Sequence, residues 1–528
     1  MRIFATLILI FSWMQLYGLH TETNTLYQSD NKVKGIVFHD KTNTGSFDPA
    51  RDLPLEGIAV SNGREVAVSD QNGYYELPVK DNSIIFVIKP RNWMVPVDEN
   101  QMPRFYYIHS TTGASGTKFE GLSPTGPLPE LVNFPLYPVD EPDKFDVLVF
   151  GDTQPRNMQE LFYIVRDVIP EVAGTHAAFG ITLGDNVFDN LDLFEPLING
   201  IANIGIPWRY VLGNHDIDFT GPNNTEARGP WFRTYGPSYY SFTQGPAHFI
   251  VMDNIRWIID DTRRYYRTGF GPDQLEFIRN EISRLEKDQL LVLFTHIPYE
   301  GSTDWEDMEE KKAFYDLLAS HPNSVTLAAH THLHYHHFIG KEEGFPGDQP
   351  HHMISIGTVC GSWWTGAPDE YGIPHAMMTD GTPTSYNFLH IDGKQWKTSF
   401  NAARRPSDFQ MQIHAPEITS TEESANMLVS ANIFNALPSA KVEMQIGNNG
   451  KWISMERNFT VDPIRVEVTE RERSLGETPW RNLGNPRESR HIWQAKPGFN
   501  LEPGAYMIQV RAKDDWWVYE GKQVVFVH

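Results

Sequence analysis

Five short segments of this 528-residue chain end on side chains that can bind metal ions. They are Gly151-Asp152-Thr153-Gln154, Gly184-Asp185-Asn186, Gly213-Asn214-His215-Asp216, Thr295-His296 and Ala329-His330-Thr331-His332. Each follows an apolar run that reads as a buried strand. Carboxylates, imidazoles and an amide carbonyl make a mixed nitrogen and oxygen donor set, which suits Mn, Fe, Zn or similar ions. The single cysteine, Cys360, excludes an intrachain disulfide and a cysteine-rich zinc site. Taken one at a time the segments say little, because Gly-Asp after a strand is usually a turn and a single histidine is usually structural. Their common placement is the signal, since ligands of α/β sheets gather at the carboxyl ends of strands.

The elements that must position these residues span about 143–404. Phe145-Asp146-Val147-Leu148-Val149-Phe150 reads as a strand, and Leu161, Ile164, Val165, Val168 and Val172 follow helical spacing. Strands are expected at 179–183, 210–212, 249–252, 290–294 and 325–328, and a helix through Leu275, Ile278, Ile282 and Leu285. This alternation predicts an α/β layered domain. Before it, residues 21–110 read as strand and turn. Asn62-Gly63 and Asn72-Gly73 lie between short apolar runs, the pattern of hairpins in a small β-sandwich. Residues 111–142 are rich in Thr, Gly, Ser and Pro and read as a linker or irregular strap. Beyond 405, short strands at 429–434, 441–446, 465–468 and 506–511 predict a second β-sandwich over 405–528.

In order and setting, Asp152, Gly184-Asp185-Asn186, Gly213-Asn214-His215-Asp216, His296 and His330-Thr331-His332 resemble the five blocks of the calcineurin-like metallophosphoesterase superfamily. The flanking regions resemble β-modules found beside some bacterial members. Val60-Ser61-Asn62-Gly63, Asp70-Gln71-Asn72-Gly73-Tyr74, Ala431-Asn432-Ile433-Phe434-Asn435, His491-Ile492-Trp493 and Leu501-Glu502-Pro503-Gly504 carry that likeness. The resemblance implies a central α/β sandwich between two β-modules and a pair of divalent transition metals. It implies that Asp185 bridges the two, with Asp152, His332 and Gln154 on the first and Asn214, His296 and His330 on the second. It further implies a metal-bridging hydroxide as nucleophile and His215 beside the scissile phosphate, as charge stabiliser or general acid.

The sequence departs from the family pattern in three places. Gln154 stands where His is usual, Ala329 where Gly is usual, and Phe188 where some members carry an Asp that orients the catalytic His. Asp189 and Asp216 are the alternatives for that orienting role, against helix capping or solvent exposure. Around the blocks, Trp363, Trp364, His375 and Asp380 are expected to line a substrate pocket, against the alternative of loop packing on a neighbouring domain. His334, His336, His337, His351 and His352 read as surface or pocket histidines. Asp40, Asn43, Asp48 and Asp52 are a calcium candidate without a standard loop spacing.

Composition bounds the partners. Lys+Arg number 44 against 67 Asp+Glu, a net charge of −23. Such a surface repels phosphate backbones, so nucleic acid polymers are not expected partners. Arg2 followed by the apolar run 3–14 reads as a secretory signal over 1–20, too short to span a bilayer. A buried N-terminal helix is the alternative. The expected protein is an exported, periplasmic or extracellular phosphoric-ester hydrolase without a transmembrane segment, acting on a phosphorylated small molecule or cell-envelope substrate. The rival expectation is a non-catalytic cell-surface or glycan-binding protein with a degenerate metal site.

Overall fold

The computed structural model describes residues 31–260, 263–447 and 450–528, so the expected signal segment lies outside the described residues. The centre of the molecule is two sheets packed face to face. One runs in the order Trp208–Tyr210, Phe179–Thr182, Lys144–Phe150, Ser385–Asp392, Gln395–Ala402. Its first three strands are parallel, and the closing hairpin is antiparallel. The other runs Tyr240–Gln244, Ala247–Val251, Leu291–Phe294, Ser324–Ala328, His351–Ser355, Tyr335–Ile339, with its four inner strands parallel. Near-continuous apolar runs such as Leu291–Phe294 are buried throughout, as strands covered on both faces require. Phe179 of one sheet meets Phe249 of the other edge to face at 5.3 Å. Helices Met158–Asp167 and Phe194–Ala202 cover the first sheet, and Pro272–Arg284 and Met308–Ala319 belong with the second.

An N-terminal β-module packs on this body as part of one continuous core. Its Phe86 lies edge-on to Phe277 of the Pro272–Arg284 helix at 5.6 Å. Phe134–Pro138, inside the stretch expected to be a linker, forms a strand parallel to Lys32–His39. Its two prolines take the half-buried and exposed positions of an alternating strand that still pairs on both sides. The calcium candidate has a different role. Asp40 accepts hydrogen bonds from the backbone of Thr42, Thr44 and Gly45 and from the Tyr137 hydroxyl, while Asp52 accepts from the backbone of Lys41 and Asp48. These carboxylates organise the loop.

The C-terminal module is a two-sheet β-structure with its own core around Val429, Met444, Trp493 and Val525. One expected strand is not there. Residues 465–468 lie in a helix, Pro463–Ser474. Arg465-Val466-Glu467-Val468 alternates polar and apolar, but four residues cannot outweigh a helix start. Asp462 caps the Arg465 N–H at 2.9 Å, and Pro463 sits in the first turn.

Of the histidines expected at the surface or in a pocket, His334 and His336 are buried where this module meets the catalytic body, His351 is buried within the body, and His337 and His352 are half-buried. Asn435 Oδ1 lies 3.0 Å from His334 Nε2 and 3.2 Å from His336 Nε2. His336 Nδ1 lies 3.1 Å from His352 Nε2, and His351 Nε2 lies 2.8 Å from Thr326 Oγ1. Burial pushes His351 and His352 down to about 3, so both are neutral in the fold. Their contribution to stability is present above the unfolded value of about 6.5 and is lost as pH falls below it. At pH 5.5 each should cost on the order of 1 kcal/mol relative to neutral pH. We expect the melting temperature to fall between pH 7 and 5, and His351→Gln to make that fall shallower. An unchanged slope in the variant would remove His351 from the account.

Candidate metal centre

The five blocks all sit at the carboxyl ends of parallel strands, and the two sheets bring them to one place. The first sheet delivers Asp152, Asp185 and Asn214, and the second delivers His296, His330 and His332. The glycines of the blocks are needed for close approach. A Cβ on Gly213 would stand 2.0 Å from the Asp185 backbone nitrogen, and one on Gly184 would stand 2.5 Å from His296 Nδ1. Among the described residues thirteen non-glycine residues have positive φ. Seven of them are Gln154, Asp185, Asp189, His330, His332, Trp363 and Trp364. Backbone strain of this kind costs of order 1 kcal/mol per residue and collects where function demands a geometry.

The donor atoms face each other in a way that requires a cation or a proton between them. His296 Nδ1 donates to the Leu183 carbonyl at 2.8 Å, which leaves Nε2 as the lone-pair nitrogen. That nitrogen lies 3.2 Å from Asp185 Oδ1, 3.1 Å from Asn214 Oδ1 and 3.2 Å from His330 Nδ1. On the other side His332 Nδ1 donates to the Gly361 carbonyl at 2.6 Å, so its Nε2 turns a lone pair to Asp152 Oδ2 at 3.2 Å. Asp152 Oδ2 is buried and accepts no hydrogen bond, whereas Oδ1 accepts from the His330 N–H at 3.0 Å. Against burial, Asp185 and Asp152 raise His296 to about 9, while burial and His296 lower His330 to about 4. Opposed shifts in touching groups fit a site that trades protons for metal. The residues present therefore fit a metal centre, with Asp185, His296 and His330 as its tightest cluster.

Gln154 contacts this centre through its amide nitrogen, which donates to Asp185 Oδ2 at 2.8 Å. Its Oε1 is 3.7 Å from Cys360 Sγ. His215 lies beside the cluster. Its backbone N–H donates to Asp185 Oδ1 at 2.9 Å, and its Nε2 is 3.9 Å from Asp185 Oδ2. Of the two candidates for orienting it, the structure places Asp189 there, with Oδ1 2.6 Å from His215 Nδ1. Asp216 instead accepts N–H groups of Gly213, Asn186 and Val187 and so ties two blocks together. Phe188 stacks on the His215 ring at 4.3 Å. An aromatic plane thus lies against the ring at the position where some members were expected to carry an Asp.

Three of the four expected pocket residues lie elsewhere. Trp364 is buried, with its indole N–H on the Thr153 carbonyl at 3.2 Å and its ring against Tyr163. His375 pairs with Glu472 of the C-terminal module at 3.0 Å. Asp380 is buried and accepts from the His334 and Thr382 N–H groups, with His491 at 3.4 Å. A loop rich in aromatic and polar residues serves equally well to dock a module, and here that need prevails. Trp363 alone stays at the centre, stacked on His332 at 4.1 Å. Arg156, Tyr266 and Arg481 are neighbours that sequence reasoning did not single out. Arg156 follows the first block by two residues, a signal that was available. Arg481 is more than 300 residues away and left none.

Two layered sheets with metal-type ligands at their shared carboxyl edge define an α/β metallophosphoesterase architecture. Family models agree along the chain. "Calcineurin-like phosphoesterase" matches residues 145–334, "N terminal of Calcineurin-like phosphoesterase" 41–123, and "C terminal of Calcineurin-like phosphoesterase" 354–518. The chain belongs to the calcineurin-like phosphoesterases and carries flanking modules on both sides of the core. The C-terminal match begins at 354, inside the stretch expected for the catalytic domain. Among solved structures the chain is similar to Vacuolar Protein Sorting 29 from Cryptosporidium parvum at 14% identity, over 50% of this chain and 98% of that one, with a TM-score of 0.21. No curated protein matches the sequence.

Proposed function

We propose that the protein is an exported hydrolase of phosphoric esters that works with two divalent transition metals, Mn, Fe or Zn. The observation that carries this reading is the pair of facing contacts, Asp152 with His332 and His296 with Asp185, Asn214 and His330. Asp152, His332 and Gln154 would hold one metal and Asn214, His296 and His330 the other, with Asp185 shared. When bound, such a pair supplies Lewis acidity that lowers the pKa of water and neutralises charge on phosphoryl oxygens. The chain's own residues supply the rest. Asp189 holds His215 Nδ1, so Nε2 is the atom that can carry a proton to a leaving alkoxide. Phe188 fixes the ring plane. Export rests on the charged and apolar pattern of residues 1–20. Among the described residues no helix is long and apolar enough to cross a membrane.

The test is metal analysis of the purified protein together with a screen of phosphomonoesters and phosphodiesters with added Mn²⁺. We expect bound transition metal and turnover of an aryl phosphate. Absence of both would favour the glycan-binding reading, which loses one support here because Trp364 is buried.

Gln154 has a separate test. As a ligand, an amide oxygen is harder and less basic than imidazole and favours Mn²⁺ over Zn²⁺. We expect Gln154→His to raise zinc affinity at the Asp152 and His332 position while keeping activity. Metal titration of the two proteins checks this. Equal affinities with an altered KM would leave Gln154 as the residue that holds Asp185 through its amide nitrogen.

A further inference from the structure

Two arginines stand beside the metal centre, one from each of two domains. Arg156 lies with its guanidinium 4.3 Å over the ring of Phe188, the same ring that stacks on His215. Its Nη1 donates to the Trp363 carbonyl at 2.9 Å and to Glu160 Oε1 at 3.3 Å. Trp363 in turn stacks on His332. Arg156 therefore joins the aromatic cap over His215 to the one over His332. Arg481 arrives from the C-terminal module. Its Nη2 donates to the same Trp363 carbonyl at 2.6 Å and the same Glu160 oxygen at 2.8 Å.

The position of Arg481 is built and not incidental. The Gly366 N–H donates to the Arg481 carbonyl at 2.7 Å. Glu472 accepts the Ala367 N–H with one oxygen and the Leu483 N–H with the other, clamping the 475–487 segment to the loop that carries Trp363. Two guanidiniums here share one carboxylate, Glu160, whose side chain is 9% exposed. One positive charge is left over, in a chain whose net charge is −23. The side chains of Arg156 and Arg481 are 26% and 46% exposed. Among the described residues their remaining guanidinium nitrogens donate no hydrogen bond. Nε and Nη2 of Arg156 form an open fork that matches an oxyanion through paired N–H···O bonds, and Arg481 adds Nε and Nη1 as separate charged donors.

We propose that Arg156 and Arg481 bind a second anionic group on the substrate. The enzyme then acts on phosphate esters that carry a further phosphate or carboxylate, and the C-terminal module is part of the active site. This rests on the phosphoesterase reading above. Matched pairs test it with the full-length, metal-loaded protein: glucose 1-phosphate against glucose 1,6-bisphosphate, and glycerol 3-phosphate against 3-phosphoglycerate. We expect kcat/KM to favour the doubly anionic member of at least one pair by about tenfold or more, mostly through KM. The pair that shows it identifies phosphate or carboxylate as the second group. Arg481→Gln should collapse that ratio, and Arg481→Lys, which keeps the charge but loses the guanidinium's separate donors, should restore it only in part. If Arg481→Gln does not fold, the Lys variant carries the test alone. A wild type without preference, or a ratio that survives both substitutions, overturns the proposal and leaves Arg481 as an interdomain clamp. Absence of turnover on all four compounds, on p-nitrophenyl phosphate and on bis(p-nitrophenyl) phosphate overturns the phosphoesterase reading itself, a result distinct from loss of preference.

Discussion

Asp185→Asn is expected to abolish the metal centre. Asp185 Oδ1 stands 3.2 Å from His296 Nε2 and also accepts the His215 N–H, while Oδ2 accepts the Gln154 amide. One carboxylate thus touches both halves of the ligand set. The substitution keeps size and removes the charge that can hold two cations near each other. We expect elemental analysis to find both metals lost and turnover to fall by about 10³-fold or more. Metal Lewis acidity supplies several kcal/mol, and each 1.4 kcal/mol is a decade in rate. Circular dichroism should show an intact fold. A purified variant with its full metal complement would refute the shared position.

His215→Ala should behave differently. The ring meets the ligand set only across 3.9 Å to Asp185 Oδ2, so both metals should stay. Turnover should fall by about 10² to 10⁴, the range for general acid–base assistance. The loss should be smaller for p-nitrophenyl than for alkyl phosphates, because a good leaving group needs no proton. Asp189→Asn should move in the same direction by less, since it loosens the ring without removing it. Equal losses across leaving groups would assign His215 to charge stabilisation. Loss of metal in His215→Ala would place it among the ligands.

The site was more legible in the sequence than its surroundings. Buried strands such as Val147-Leu148-Val149-Phe150 announce themselves by continuous apolar character, and the residues after them are bound to lie at one edge of a sheet. That is why the seven expected ligands and His215 are found together. Between Asp189 and Asp216 the sequence could not choose. Both are acidic residues near a block, and which one reaches His215 Nδ1 depends on the backbone turn, where Asp189 adopts φ of 59°. Residues 465–468 show the limit of local pattern, because a short alternation is compatible with either periodicity until a cap decides it.

The sequence by itself determined the chain order of the chemistry: which residue types stand at which strand ends, and hence a mixed nitrogen and oxygen cluster of possible metal ligands in an α/β body. Only the tertiary structure decided what surrounds that site. Trp364, His375 and Asp380 are spent on packing and on docking the C-terminal module, while Arg481 of that module comes to Trp363 from far along the chain. The physical reason is range. Strand burial and its terminal residues are set by neighbours a few positions away. The role of a loop side chain is set by whichever domain packs against it, and nothing in the local sequence carries that partner's address.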